Sequence, residues 1–143
     1  MPVSAIASSP KAIKKLSRVL PLRILIAEDN FVNQKLLVMM LKMLGYKADA
    51  VNDGDEVLKR VQKKNYDLLL LDIQMPKLDG VETVQELIKM PLKNMPRIIA
   101  ITAYAMEGDR ERYLSVGMNG YLSKPFRMEE LVNEMKRVMK ARK

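Results

Sequence analysis

Apolar residues along this chain come in short continuous runs, separated by stretches in which they recur every three to four positions. Leu22–Ala27 (LRILIA), Asp67–Asp72 (DLLLLD) and Arg97–Thr102 (RIIAIT) are runs of strand length, and Lys47–Val51 alternates as a strand does. Uninterrupted apolar strands are expected where helices cover both faces of a parallel sheet. Asn30 is placed to cap a first helix, whose inward face reads as Phe31, Leu36, Leu37, Met40, Met43 and Leu44 until Gly45 stops it. Asp53 caps a second helix through Lys64, with Val57, Leu58 and Val61 inward. A third is predicted near Val81–Met90, followed by a loop framed by Pro91 and Pro96. A fourth spans roughly Glu107–Val116 and closes at Gly117; Gly120–Ser123 is a short strand and Met128–Lys140 the last helix. Five strands alternating with five helices predict an α/β fold with an open, doubly wound sheet.

Ahead of this alternation, residues 1–21 read as a leader or linker. Residues 1–10 (MPVSAIASSP) are small and Ser/Pro-containing, and 11–20 place Ala12, Ile13, Leu16, Val19 and Leu20 at helical spacing among basic residues. A short basic amphipathic helix ended by Pro21 is expected, docked on the domain or joining it to another.

Composition narrows the chemistry. A length of 143 residues suits one domain, and 48% apolar residues with 29% charged can build a core. Aromatics are 5%, so the core is aliphatic and draws on 12 Met; Met39, Met40 and Met43 are read as core, exposed Met being the alternative that suits an adaptable docking surface. There is no Cys and no His, which removes disulfides, thiol nucleophiles, Ser-His-Asp catalysis and imidazole or thiolate metal sites. Any metal must be held by oxygen, which favours Mg²⁺, Mn²⁺ or Ca²⁺. The net charge of +8 sits at the ends: residues 1–21 and 131–143 each carry +4, while 22–130 has 16 basic and 16 acidic residues. A neutral body with solvated basic ends argues against a nucleic-acid-binding module. No apolar run approaches the ~20 residues of a membrane span, so the expected location is intracellular.

In an open α/β sheet, ligands gather at the carboxyl ends of the strands. Strand one ends in Glu28-Asp29, strand three in Asp72, strand four in Thr102 and strand five in Ser123-Lys124-Pro125. Each residue alone has an ordinary explanation, as helix cap, loop hydroxyl or surface charge. Together they do not, because three clustered acids repel each other unless a cation lies between them. Phosphoryl transfer uses such a set: a carboxylate nucleophile, a cation held by its neighbours, and a Lys and a hydroxyl for the phosphoryl oxygens. Asp72, ending the central strand, is the candidate nucleophile, with Glu28 and Asp29 as candidate Mg²⁺ ligands, directly or through water.

These residues give the chain a resemblance to the receiver domains of two-component response regulators. It rests on the acidic pair in LIAEDN, Asp72 ending DLLLLD, the MPKLDG turn at 75–80, AITA at 100–103 and YLSKPF at 121–126, and it covers about residues 22–142. The resemblance implies a flavodoxin-like (βα)5 domain over 22–143 with strand order 2-1-3-4-5. It makes Asp72 the phosphoacceptor, and Asp29, Asp72 and the main-chain carbonyl of Gln74 ligands of Mg²⁺ (Mn²⁺ being possible), with Glu28 acting through a bound water. Thr102 and Lys124 would contact the phosphoryl group, and Tyr121 would be the switch aromatic that turns inward with Thr102, a packed tyrosine being the plainer alternative. The Lys124–Pro125 bond is expected to be cis. Glu28 stands where the family more often has Asp, and Gln74 and Tyr104 occupy positions that tune hydrolysis.

The resemblance implies a cytoplasmic phosphoacceptor rather than an enzyme with turnover. Because the chain has no His, its phosphoryl donor is another molecule or domain, a histidine kinase or histidine-phosphotransfer domain. Phosphorylation is expected to shift the face of helix four, strand five and helix five, and so the affinity for a protein effector. The EDNFVNQ segment, with Asn30, Asn33 and Gln34, looks most like the C-terminal receiver of a hybrid sensor kinase; a stand-alone single-domain regulator is the alternative. An Mg²⁺-dependent aspartyl phosphohydrolase is the more distant one, disfavoured because Gln74 stands where that class has a second Asp.

Overall fold

The structure is a computed structural model that describes residues 16–103 and 106–140. Its centre is one parallel sheet of five strands, β1 (Ile24–Ala27), β2 (Asp49–Val51), β3 (Leu68–Asp72), β4 (Arg97–Thr102) and β5 (Gly120–Ser123), in the order β2-β1-β3-β4-β5. The helices are α1 (Phe31–Met43), α2 (Gly54–Lys63), α3 (Gly80–Lys89), α4 (Asp109–Val116) and α5 (Met128–Lys140). This is the doubly wound (βα)5 arrangement. The predicted strands and helices all form, several of them shorter at the amino end: β1 begins at Ile24, β2 at Asp49 and α4 at Asp109. In the last case Gly108, at φ 88, occupies the cap position, and the Asp109 carboxylate accepts from the Met106 N–H at 2.9 Å, which keeps 106–108 out of the helix.

Consecutive residues of each strand feed opposite layers. Ile24, Ile26, Leu68, Leu70, Ile99 and Ile101 face one cluster, completed by Leu37, Leu41 and Leu44 of α1 and Leu131, Met135 and Val138 of α5. Leu25, Ala27, Leu69, Leu71, Ile98 and Ala100 face the other, completed by Val57 and Val61 of α2, Val84 and Leu87 of α3 and Tyr113 of α4. The four leucines of β3 are fully buried, as a central parallel strand requires.

The first helix corrects the sequence reading. Its buried stripe is Leu37, Leu41 and Leu44, whereas Phe31 is 67% exposed, Leu36 55% and Met39 59%, with Val32 and Met43 also exposed. Thirteen residues with apolar side chains on every side leave the helical phase undetermined, and packing on Ile24 and Ile26 selects the stripe that the spacing alone did not. Of the expected leader helix, Lys11 to Lys15 lie outside the described residues. Leu16–Val19 forms a single helical turn. Leu16 is buried in the core against α1, the Ser17 N–H donates to the Leu44 carbonyl at 3.1 Å, and Tyr46 donates its phenol to the Leu20 carbonyl at 2.5 Å. Val19, read as apolar-face, points to solvent. The segment is therefore docked on the domain, at the end of α1 remote from Asp72. No helix of the described residues is long and apolar enough to cross a membrane.

Candidate functional site

Strands β1 and β3 are neighbours, paired Ala27 to Leu71, so Glu28-Asp29 and Asp72 emerge side by side where the sheet reverses its winding. One carboxylate oxygen from each of Glu28, Asp29 and Asp72 lies within 4.8 Å of the other two. Glu28 and Asp72 are buried while Asp29 is exposed, so the cluster opens to solvent on one side. Such a set of hard oxygens suits a divalent cation such as Mg²⁺ or Mn²⁺.

Lys124, delivered from the end of β5, places its ammonium Nζ 2.9 Å from Glu28 Oε1 and 3.7 Å from Asp72 Oδ2. The other oxygen of Glu28 accepts from the Asn30 backbone N–H at 3.0 Å, and Asp72 Oδ1 accepts from the Gln74 N–H at 3.1 Å. One ammonium and two amides do not offset three acids. Burial first, and then the Glu28 carboxylate, pushes the Asp72 carboxyl up to about 7, against the opposing pull of Gln74 N–H and Lys124. The excess negative charge is what a cation with oxygen ligands would relieve, so the donor set fits Mg²⁺. The Lys124–Pro125 bond is cis.

Thr102 ends β4 one residue beyond the partner of Asp72, which is Ile101. Strand alternation turns it toward the α4 layer; it is buried, lies in hydrogen-bonding reach of the Tyr113 phenol, and lines a cavity of about 630 Å³ with Gln74, Met75, Asp109 and Tyr113. The acids and Lys124 are thus one group, and Thr102 borders it from the next strand. Tyr121 lies deeper along β5: its ring stacks on Tyr113 at 5.8 Å between centroids, and its buried hydroxyl has no hydrogen-bond partner among the described residues. The ring is half-buried against the α4 layer. Gln74 is exposed at the rim; Tyr104 lies outside the described residues.

The sequence reading missed two participants and one further role. Tyr113 of α4 connects Thr102 to Tyr121. Glu134 of α5 is buried and accepts from the Tyr121 N–H at 2.7 Å, while Arg137 donates to it and to the Asn119 carbonyl, at 2.8 and 3.0 Å through one nitrogen. The Asn30 cap, expected from sequence and seen as an Asn30 Oδ1 bond to the Asn33 N–H, has a second task in its own N–H bond to Glu28. A buried acid on a helix facing an edge strand is the signal that would have found Glu134.

Comparison with known proteins agrees with this geometry. Residues 24–136 match the response regulator receiver domain family. Hybrid signal transduction histidine kinase K of Dictyostelium discoideum is 40% identical over 116 residues, 76% of this chain and 10% of that protein. Signal transduction histidine-protein kinase BarA of Escherichia coli K12 is 33% identical over 114 residues, 80% of this chain and 12% of that protein. The chain thus spans about a tenth of these curated relatives. Among solved structures, the receiver domain of a sensor histidine kinase from Pseudomonas aeruginosa PAO1, with magnesium coordinated in its active site cleft, superimposes with a TM-score of 0.75 at 39% identity, covering 83% of this chain and 98% of that one. A Francisella response regulator receiver domain gives 0.76 at 27% identity, over 85% and 99%. With the fold, the strand-end acids and these matches in agreement, the chain belongs to the response regulator receiver domain family.

Proposed function

We propose that this domain accepts a phosphoryl group from a phosphohistidine onto Asp72, with Mg²⁺ or Mn²⁺, within a hybrid sensor kinase that works in the cytoplasm. The observation that carries the proposal is the group of three carboxylates within 4.8 Å beside the Lys124 ammonium. An Asp72 oxygen attacks phosphorus, the P–N bond to the donor imidazole breaks, and the imidazole leaves with that bonding pair and takes a proton. The product is an acyl phosphate. Asp29, Asp72 and the Gln74 carbonyl would hold the metal, with Glu28 through water; the ion would supply positive charge that offsets the phosphoryl group. Lys124 then exchanges part of its contact with Glu28 for a phosphoryl oxygen, and Thr102 approaches another from β4. The domain assists its own phosphorylation and dephosphorylation without being a free-standing kinase.

Beside the site, α1 presents Phe31, Leu36, Met39 and Met43 to solvent. An apolar stripe containing adaptable Met suits the helical surface of a histidine-containing donor. The output side runs through Thr102, Tyr113 and Tyr121 to α4, β5 and α5, whose exposed surface would bind the effector differently in the two states. Residues 1–21 serve as the linker and 22–143 as the receiver unit.

The test is intact mass after incubation with acetyl phosphate and Mg²⁺. One added phosphoryl group is expected, absent when metal is chelated and absent in Asp72→Asn. An adduct that persists in Asp72→Asn would overturn the assignment of the acceptor.

A further inference from the structure

The segment EDNFVNQ contains a side chain to which phosphoryl chemistry gives no role, Gln34. It lies in the first turns of α1, and its amide nitrogen Nε2 faces three oxygens: the Glu28 carbonyl at 2.9 Å, the Val51 carbonyl at 3.1 Å and Asn52 Oδ1 at 3.1 Å. The two carbonyls stand at the carboxyl ends of β1 and β2, beyond which the ladder offers no further strand partner. They are also joined to each other, since the Val51 carbonyl accepts from the Glu28 N–H at 3.1 Å. Asn52 is itself held, its N–H donating to Glu56 Oε1 of α2 at 2.9 Å. The two N–H groups of this amide, shared among the three acceptors, tie α1 to the ends of β1 and β2 and to the entry of α2.

The Glu28 carbonyl belongs to the peptide that joins Glu28 to Asp29. That unit is planar, so fixing its oxygen fixes its N–H and leaves Asp29 only rotation about its own backbone and side-chain bonds. Glu28 has other restraints, the Lys124 ammonium and the Asn30 N–H. Asp29, exposed and carrying charge beside two other acids, is driven outward by repulsion and is held toward Asp72 mainly through its backbone.

We infer that Gln34 is a positioning residue for the cation site: by clamping the Glu28 carbonyl to the end of β2 it keeps Asp29 facing Asp72 before any metal arrives. The inference rests on the proposal that Asp29 and Asp72 hold the ion, and it adds the residue that preorganises them. Groups that orient metal ligands without touching the metal typically change affinity by about 10- to 100-fold when removed.

Gln34→Met keeps the side-chain length and neutrality without a donor, and Gln34→Asn keeps the neutral amide but draws it back by one carbon from the Glu28 carbonyl. Two quantities are read: Mg²⁺ affinity by calorimetry, and amide hydrogen exchange at Asp29 and Asn30 in metal-free protein. Gln34→Met is expected to weaken Mg²⁺ binding about tenfold and to speed exchange at both amides, and Gln34→Asn is expected to move both quantities in the same direction. A Gln34→Met protein that melts lower yet binds Mg²⁺ as tightly as the native one overturns the inference. If Gln34→Met does not fold, Gln34→Asn decides: weaker binding and faster exchange support the clamp, and unchanged values overturn it. Native protein that binds no Mg²⁺ overturns the cation-site proposal and this inference with it, whereas native binding with an unaffected Gln34→Met overturns the clamp alone.

Discussion

Tyr46 carries a consequence out of proportion to its place in the fold. Its hydroxyl donates to the Leu20 carbonyl, and burial pushes its pKa from the usual 10 up to about 12. The folded state therefore favours the neutral phenol. Its contribution is complete below pH 10 and is lost as pH rises from 10 toward 12. Urea midpoints across that range should fall more steeply for the native protein than for Tyr46→Phe, which at pH 8 should cost about 1 kcal/mol, the usual worth of one hydrogen bond. At this scale the sequence was uneven evidence. Glu28, Asp29, Asp72, Thr102 and Lys124 were legible because each follows an apolar run, and a strand end is a place that run length alone can locate. Gln34 was legible only as a motif letter, and Tyr113 not at all. Their roles depend on which carbonyl or ring meets them across the fold, and nothing local encodes that.

Among the described residues, β5 is an edge strand with no sixth strand beside it. The Glu134 carboxylate of α5 takes its Tyr121 N–H instead, with Arg137 bonded to the same carboxylate and Arg110 of α4 3.6 Å away. Gly120 permits the approach, since a Cβ there would lie 2.6 Å from Val138 Cγ2 and 2.7 Å from Glu134 Oε2. Glu134→Ala strands the Tyr121 N–H, whereas the half-exposed Arg137 keeps the Asn119 carbonyl and turns its free donors to water. It should destabilise the domain by roughly 1–2 kcal/mol, read by urea denaturation. The α1 helix shows the opposite case, an element foreseen in extent and capping but mis-phased. Strongly amphipathic helices such as α2 and α5 declare their buried side; a helix apolar all round, with Leu37 and Leu41 buried and Phe31 and Leu36 exposed, declares it only after packing.

For the molecule as a whole, the acid cluster concentrates negative charge at one end of the sheet. Metal-free protein holds three carboxylates together, and Asp29→Asn should raise its melting temperature by relieving the repulsion. The same change should abolish the response to Mg²⁺. In the native protein that response should reach roughly 10 °C when the ion exceeds its dissociation constant a hundredfold. Thermal melts of both proteins with and without Mg²⁺ check the two opposite signs. A native melting point indifferent to Mg²⁺ would count against the cation site.

The docking of Leu16–Leu20 fixes where that segment meets the domain. The turn is pinned by Leu44 and Tyr46, beyond the carboxyl end of α1, while Asp72 opens at the carboxyl end of β3. Any module attached through that segment starts its reach from the far pole of the domain. A tether raises the local concentration of a donor only when it is long enough to span the sites it joins, and a short one excludes the encounter. Pinning those residues removes them from any tether, so the bonds made by Leu20 and Ser17 act as a ruler: if the proposed donor is attached there, releasing them lengthens its leash and leaves Glu28, Asp29, Asp72 and Lys124 untouched.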